Sequence, residues 1–126
     1  MVPANVSGKA PDLQGKFIFA DRWQVESESW WESHQQIALN VDCTDGSRRF
    51  SYPKTEQTVQ ILRVDPRDPK RRQKMLNGAF PTIRKTLAER DVLFHCQQSF
   101  HRAPVVGVAV NQRLAGVPAT VHNCYY

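Results

Sequence analysis

A chain of 126 residues is long enough to enclose one hydrophobic core and short for two, so one functional site is expected rather than several. With 40% apolar and 23% charged residues the composition is that of a globular domain, which excludes disorder throughout, and no apolar run approaches the roughly 20 residues of a membrane helix. The net charge of +5, drawn partly from residues 67–74 and from Arg84 and Lys85, favours anionic partners; the same run also reads as the solvated face of a helix.

Residues 1–15 carry Pro, Gly, Asn and Ser with little apolar content and predict a flexible lead-in, leaving 16–126 as the domain. The opening lacks the apolar centre of a secretory signal, which points to an intracellular protein: the cytoplasm first, with the nucleus open. "KFIFADRW" (16–23) alternates enough for a first strand. "SESWWESHQQ" (27–36) predicts a short helix with Ser27 as its N-cap and Trp30 and Trp31 as packing residues. "IALNV" (37–41) is a buried strand and "DCTDGSRR" a turn-rich loop. "TVQILRV" (58–64) is the next strand, stopped by the two prolines of "DPRDP". Between residues 70 and 90 the spacing of Met75, Leu76, Ala79, Phe80, Ile83 and Leu87 is helical, and Gly78 with Pro81 predicts a kink or two shorter helices. "DVLFHC" (91–96) has the character of a fully buried central strand, and "APVVGVAVNQRLAG" (103–116) that of a buried helix with Pro104 in its first turn and a stop at Gly116. Strand, helix, strand, strand, helix, strand, helix is an α/β order, and it predicts a single central sheet, mixed or mostly parallel, flanked by helices.

Three cysteines, Cys43, Cys96 and Cys124, are an odd number without a CxxC or a Cys/His cluster, so neither a disulfide framework nor a metal site is expected and no cofactor is implied. Chemistry concentrates in "VLFHCQQSFHRAP" (92–104). A strand ending in His95 and Cys96, a loop of Gln97, Gln98, Ser99, Phe100 and His101, and Arg102 leading into a helix together make an anion cradle. Backbone N–H groups of a turn and of a helix N-terminus lack partners in their own segment and can face phosphate oxygens, while the Arg102 fork can bind two of those oxygens at once. A loop that holds a phosphate beside a thiol can also present that thiol as a nucleophile. The plainer alternative is a buried cysteine at a strand end with a surface arginine nearby.

These residues resemble the His-Cys-x5-Arg loop of cysteine-dependent protein tyrosine phosphatases, most closely the compact dual-specificity branch. "KFIFADRW", "IALNV" and "MLNGAFPTIRKTLAERDVLFHC" are similar to that branch's first strand, its "VLNV"-like strand and the helix and strand before its loop, so the resemblance covers about residues 16–114. It implies a phosphatase-like fold, Cys96 as the nucleophile that forms a thiophosphate, Arg102 as the clamp on the phosphoryl group, and His95 as support for the loop. It also implies a carboxylic acid on an upstream loop that protonates the leaving oxygen; Asp65 and Asp68 are the candidates, Asp65 preferred because it follows its strand directly, and both also read as turn residues beside proline. In several relatives a cysteine near the position of Cys43 forms a reversible disulfide with the nucleophile, which makes Cys43 a candidate redox partner. The implied partner is a phosphoprotein or another anionic phosphoester, with nucleic acid disfavoured; the oligomeric state is not legible.

Two positions depart from the family. Ser99 stands where Gly is usual, and Ala103 replaces the Ser or Thr that helps expel the cysteine from the intermediate, which predicts a slow second step. The "RAP" continuation is similar to the phosphatases of regenerating liver, which share that alanine. A catalytically weak phosphate-binding module is therefore one alternative. A rhodanese-fold phosphatase or arsenate reductase, whose loops carry Ser at this position, is another. Beyond the last helix only "VPATVHNCYY" remains where the family continues with further helices, so a shortened C-terminus is expected.

Overall fold

The computed structural model describes residues 13–46, 50–97 and 102–116. Its elements are β1 (Phe17–Ala20), α1 (Arg22–Val25), α2 (Glu28–Glu32), β2 (Ile37–Asp42), β3 (Gln60–Arg63), α3 (Arg72–Leu87), β4 (Asp91–His95) and α4 (Arg102–Leu114). The four strands form one sheet in the order β1-β4-β2-β3, and every neighbouring pair is parallel. The sheet expected to be mixed or mostly parallel is thus wholly parallel among the described strands. Parallel strands need crossovers, and crossovers put helices on the faces, so the central strand is shielded on both sides and reads as a continuous apolar run. All five residues of β4 are buried.

The two faces are covered differently. On one, Leu39, Val41, Val92 and Phe94 pack with Leu76, Ile83 and Leu87 of α3 and with Val106 and Val110 of α4. On the other, Ala20, Ile37 and Leu93 pack with Val25 of α1 and Trp31 of α2, joined by Phe50, Tyr52 and Val59. Ile37 and Leu39 lie two apart yet serve opposite faces, because the pairing of β2 with β4 shifts register between them and makes Ala38 an extra residue. At Gly107 the fourth helix lies close on β1: a Cβ there would meet Phe19 Cζ at 2.6 Å.

Several sequence expectations shift. The segment expected as one strand over 16–23 ends at Ala20, because Asp21 and Gln24 form a reciprocal capping box, Asp21 Oδ1 accepting from the Gln24 amide and Gln24 Oε1 from the Asp21 amide, both at 2.9 Å. Ser27 is the N-cap of α2, as expected, but that helix stops at Glu32. Of the expected kink or two shorter helices, the second does not hold: the third helix is continuous over 16 residues with Pro81 inside it. Pro81 and Asn77, whose carbonyl loses its donor, are both exposed residues, while buried Leu76, Ala79, Ile83 and Leu87 hold the helix along one stripe. The last helix opens at Arg102, before Pro104, and is followed by Gly116 at φ 77°. Gln14 and Gly15 are tied down, their amides donating to the carbonyls of Ala88 and Leu87 at 3.3 and 2.9 Å.

Candidate functional site

In a parallel sheet every strand ends on the same edge, and ligands of such sheets gather there. The register aligns Ala20, His95, Asp42 and Arg63 in one row across that edge. The residues that follow the row are Asp21, Cys96, Cys43 and the Val64–Asp65 pair, and three backbone bonds lock these four exits together. The Cys43 amide donates to the His95 carbonyl at 2.7 Å, the Val64 amide to the Asp42 carbonyl at 2.9 Å, and the Arg22 amide to the Gln97 carbonyl at 3.3 Å. Strand order and register therefore bring together groups that lie far apart in sequence.

Cys96 is 3% exposed and belongs to the core cluster on the α3/α4 face, together with Cys43 and Val64. Neither cysteine is in a disulfide. Burial pushes the Cys43 thiol well above its ordinary value; the Cys96 sulfur, Asp42 and Asp65 push in the same direction and Arg102 opposes them. These five groups therefore interact electrostatically at one edge. Cys43 also directs its S–H at the Val41 carbonyl, 3.6 Å away, so at neutral pH it is a protonated, inward-facing thiol. Arg102 is the first residue of α4, partly exposed, and enters no ion pair among the described residues. Of the loop residues assigned to phosphate binding, Gln97 is placed on this edge with its carbonyl engaged by Arg22, while Gln98, Ser99, Phe100 and His101 lie outside the described residues.

The two candidate acids occupy different settings. Asp65 is 6% exposed; its Oδ1 accepts from the Arg67 amide at 2.9 Å and lies 3.8 Å from Arg67 Nε. Asp68 closes the turn before α3, its Oδ1 accepting from the Lys70 and Arg71 amides at 3.1 Å and its carbonyl from the Arg72 amide at 2.9 Å. Asp65 alone of the pair is counted among the charges acting on Cys43. Both carboxylates line an open cleft of about 550 Å³ with Arg63, Arg67 and Arg71, which places part of the basic run beside them.

His95 is fully buried on the opposite face from Cys96. Its Nε2 lies 2.9 Å from the Tyr52 hydroxyl, and the rings of Phe50 and Tyr52 meet it edge-on at 4.9 and 5.9 Å. Burial lowers its pKa from 6.5, with Asp42 opposing, so the ring is neutral near pH 7. Burial likewise pushes the Tyr52 phenol up to about 12, partly offset by a hydrogen bond from the Asn40 side chain. The assignment that satisfies both contacts has Asn40 donating to the phenol oxygen, the phenol donating to Nε2, and the imidazole proton on Nδ1. Nδ1 is buried without a partner among the described residues. Tyr52 is itself positioned by its neighbour, the Ser51 amide donating to Glu26 Oε2 at 2.7 Å. Sequence reasoning missed Tyr52, Asn40 and Arg22, and no local signal marks them: the Tyr52–His95 bond spans 43 positions.

His34 is partly buried, stacks on Trp30 and has Nδ1 2.6 Å from the Trp30 carbonyl. Cys124 and His122 lie outside the described residues. Among the described residues no group of three or more His, Cys, Asp or Glu is arranged to hold a metal ion, and no helix is long and apolar enough to cross a membrane. No family model and no curated protein matches the chain.

Proposed function

We propose that the chain is a cysteine-dependent phosphatase of dual-specificity type, acting on a phosphoprotein or another anionic phosphoester. What supports this reading is that Cys96, which follows the buried strand β4, Arg102, which opens α4, and Asp65, which follows β3, each act electrostatically on the buried Cys43 thiol. In the proposed reaction the Cys96 sulfur attacks phosphorus, the S–P bond forms as the ester P–O bond breaks, and the leaving oxygen takes a proton from Asp65. Water then attacks the phosphorus, giving a proton to Asp65 as the new P–O bond forms and the S–P bond breaks, which releases inorganic phosphate and the Cys96 thiolate. Arg102 neutralises the equatorial oxygens in both steps. Tyr52 acts through His95, holding its ring so that the backbone leading to Cys96 keeps its direction. Cys43 is the partner proposed for a reversible disulfide with Cys96 under oxidation; peptide mapping of mildly oxidised protein should recover a Cys43–Cys96 link.

The test is a rapid-mix assay with p-nitrophenyl phosphate. A stoichiometric burst of nitrophenol followed by slower turnover is expected, with the burst abolished in Cys96→Ser and turnover reduced about 10²–10⁴-fold in Asp65→Asn, the range of general acid catalysis. Arg102→Lys should lose most activity because an ammonium cannot replace the two-pronged contact. Ala103→Ser should speed the second step and shrink the difference between burst and steady rate. Absence of any burst, with vanadate still bound, would instead support a phosphate-binding module of little catalytic power. Two observations favour that second reading: Ala103 is fully buried and supplies no hydroxyl, and Asp65 already accepts the Arg67 amide.

A further inference from the structure

Where β3 gives way to α3 the chain borders an open cleft of about 550 Å³, within the roughly 300–1,000 Å³ common to ligand clefts. Among the described residues it is lined by three arginines, three aspartates and Met75. The anions do not use up the cations. Arg67 is committed, its Nη2 3.2 Å from Asp45 Oδ2 and its Nε 3.8 Å from Asp65 Oδ1. Arg63 lays its guanidinium along residues 45–46, where Nη1 donates to the Asp45 carbonyl. Gly46, at φ 80°, makes room for it, because a Cβ there would collide with that guanidinium. The bond occupies one of five N–H donors, and neither Arg63 nor Arg71 enters an ion pair among the described residues. The Asp68 carboxylate accepts from the Lys70 and Arg71 backbone amides.

During the proposed reaction the charge balance favours an anion. Asp65 starts that reaction protonated, and the lining then carries three positive charges against the two negative ones of Asp45 and Asp68. Residues 69–88 add to the field: they contain six lysines and arginines and no acid, and Lys70 and Lys74 are exposed around the start of α3. The shape and lining of the cleft narrow the choice of anion. Among the described residues no aromatic ring lines it for a nucleobase to stack on, and Met75 alone is little apolar surface for a lipid chain. A carboxylate, with one charge, meets less repulsion from Asp45 and Asp68 than a dianionic phosphate, and its two oxygens match a guanidinium fork.

We infer that this cleft is the subsite for an acidic peptide segment, so that the substrate is a phosphoprotein with glutamate or aspartate close to the phosphorylated residue. The inference rests on the phosphatase reading for its direction: Asp65 protonates the leaving oxygen, so the peptide that bears this oxygen lies beside Asp65 and continues toward Arg63 and Arg71.

Two fluorescein-labelled phosphotyrosine peptides test it, identical except that the three positions on each side of the phosphotyrosine are glutamate in one and glutamine in the other. Both are titrated by fluorescence anisotropy into the full chain carrying Cys96→Ser, which prevents turnover. At about 0.1 M salt the glutamate peptide should bind about five- to ten-fold more tightly, the sum of two or three exposed ion pairs, and the ratio should approach one near 0.5 M salt. Adding Arg71→Gln should lower the ratio about two- to three-fold. Lys85→Gln removes the same charge roughly 21 Å further along the helix, about two Debye lengths at 0.1 M salt, and should leave the ratio unchanged. Equal binding of the two peptides would overturn the inference, as would a fall in the ratio as large for Lys85→Gln as for Arg71→Gln, which would assign the preference to net charge rather than to the cleft. A missing nitrophenol burst beside an intact, Arg71-dependent glutamate preference would sustain the acidic-peptide cleft and remove the phosphatase reading alone.

Discussion

His95 is a buried neutral imidazole one residue before the candidate nucleophile, and its environment makes stability depend on pH. Its folded pKa is depressed below 6.5, so as pH falls through that value the unfolded chain takes up a proton that the folded chain refuses. The His95 contribution is whole above about pH 6.5 and drains away below it. Urea midpoints measured from pH 7.5 to 5.0 should fall, and the fall should be smaller in His95→Gln; equal pH dependence in the two proteins would contradict this. Tyr52→Phe leaves Nε2 without its hydroxyl and should lower stability by about 1 kcal/mol at an unchanged denaturant slope. At this scale the sequence announced His95, Cys96 and Arg102 because they share one short stretch. It was silent on Tyr52, because a hydrogen bond across 43 positions leaves no local pattern.

Elements were legible where burial dictated composition. The apolar residues 92–94 within "DVLFHC" predicted a shielded strand, and the stripe through Leu76, Ala79, Ile83 and Leu87 fixed α3 despite two poor helix formers. Their tolerance has a testable side. Gly78 is exposed and a Cβ there would touch nothing within 4 Å, so Gly78→Ala should raise stability by roughly 0.5–1 kcal/mol. Gly15 is the contrast: a Cβ would lie 1.7 Å from the Arg90 carbonyl oxygen, a collision with backbone that no side-chain rotation relieves. Gly15→Ala should cost about 1–3 kcal/mol or more and lower the thermal midpoint accordingly. The strand expected to run to Trp23 was misread for a related reason. Phe17, Phe19, Trp23 and Val25 all suit a strand, and only the reciprocal bonds of Asp21 and Gln24 turn the chain into a helix.

For the whole molecule the α/β order of elements implied parallel pairing, but strand order is not encoded locally, and it is strand order that assembles the edge carrying Cys96, Cys43 and Asp65. The strand that ends at the thiol is the last of the four in the chain, yet it sits between the first and the second. Among the described residues before β4 none joins β1 to β2, so a fragment ending at residue 90 should show no cooperative urea transition by circular dichroism, and a sharp transition would contradict the strand order. During synthesis the same arrangement leaves an unfilled slot until β4 emerges from the ribosome, with two unpaired strand edges waiting for it. The candidate nucleophile and the sheet are thereby completed by one event: a nascent chain interrupted before that strand carries neither Cys96 nor a finished sheet on which to display it.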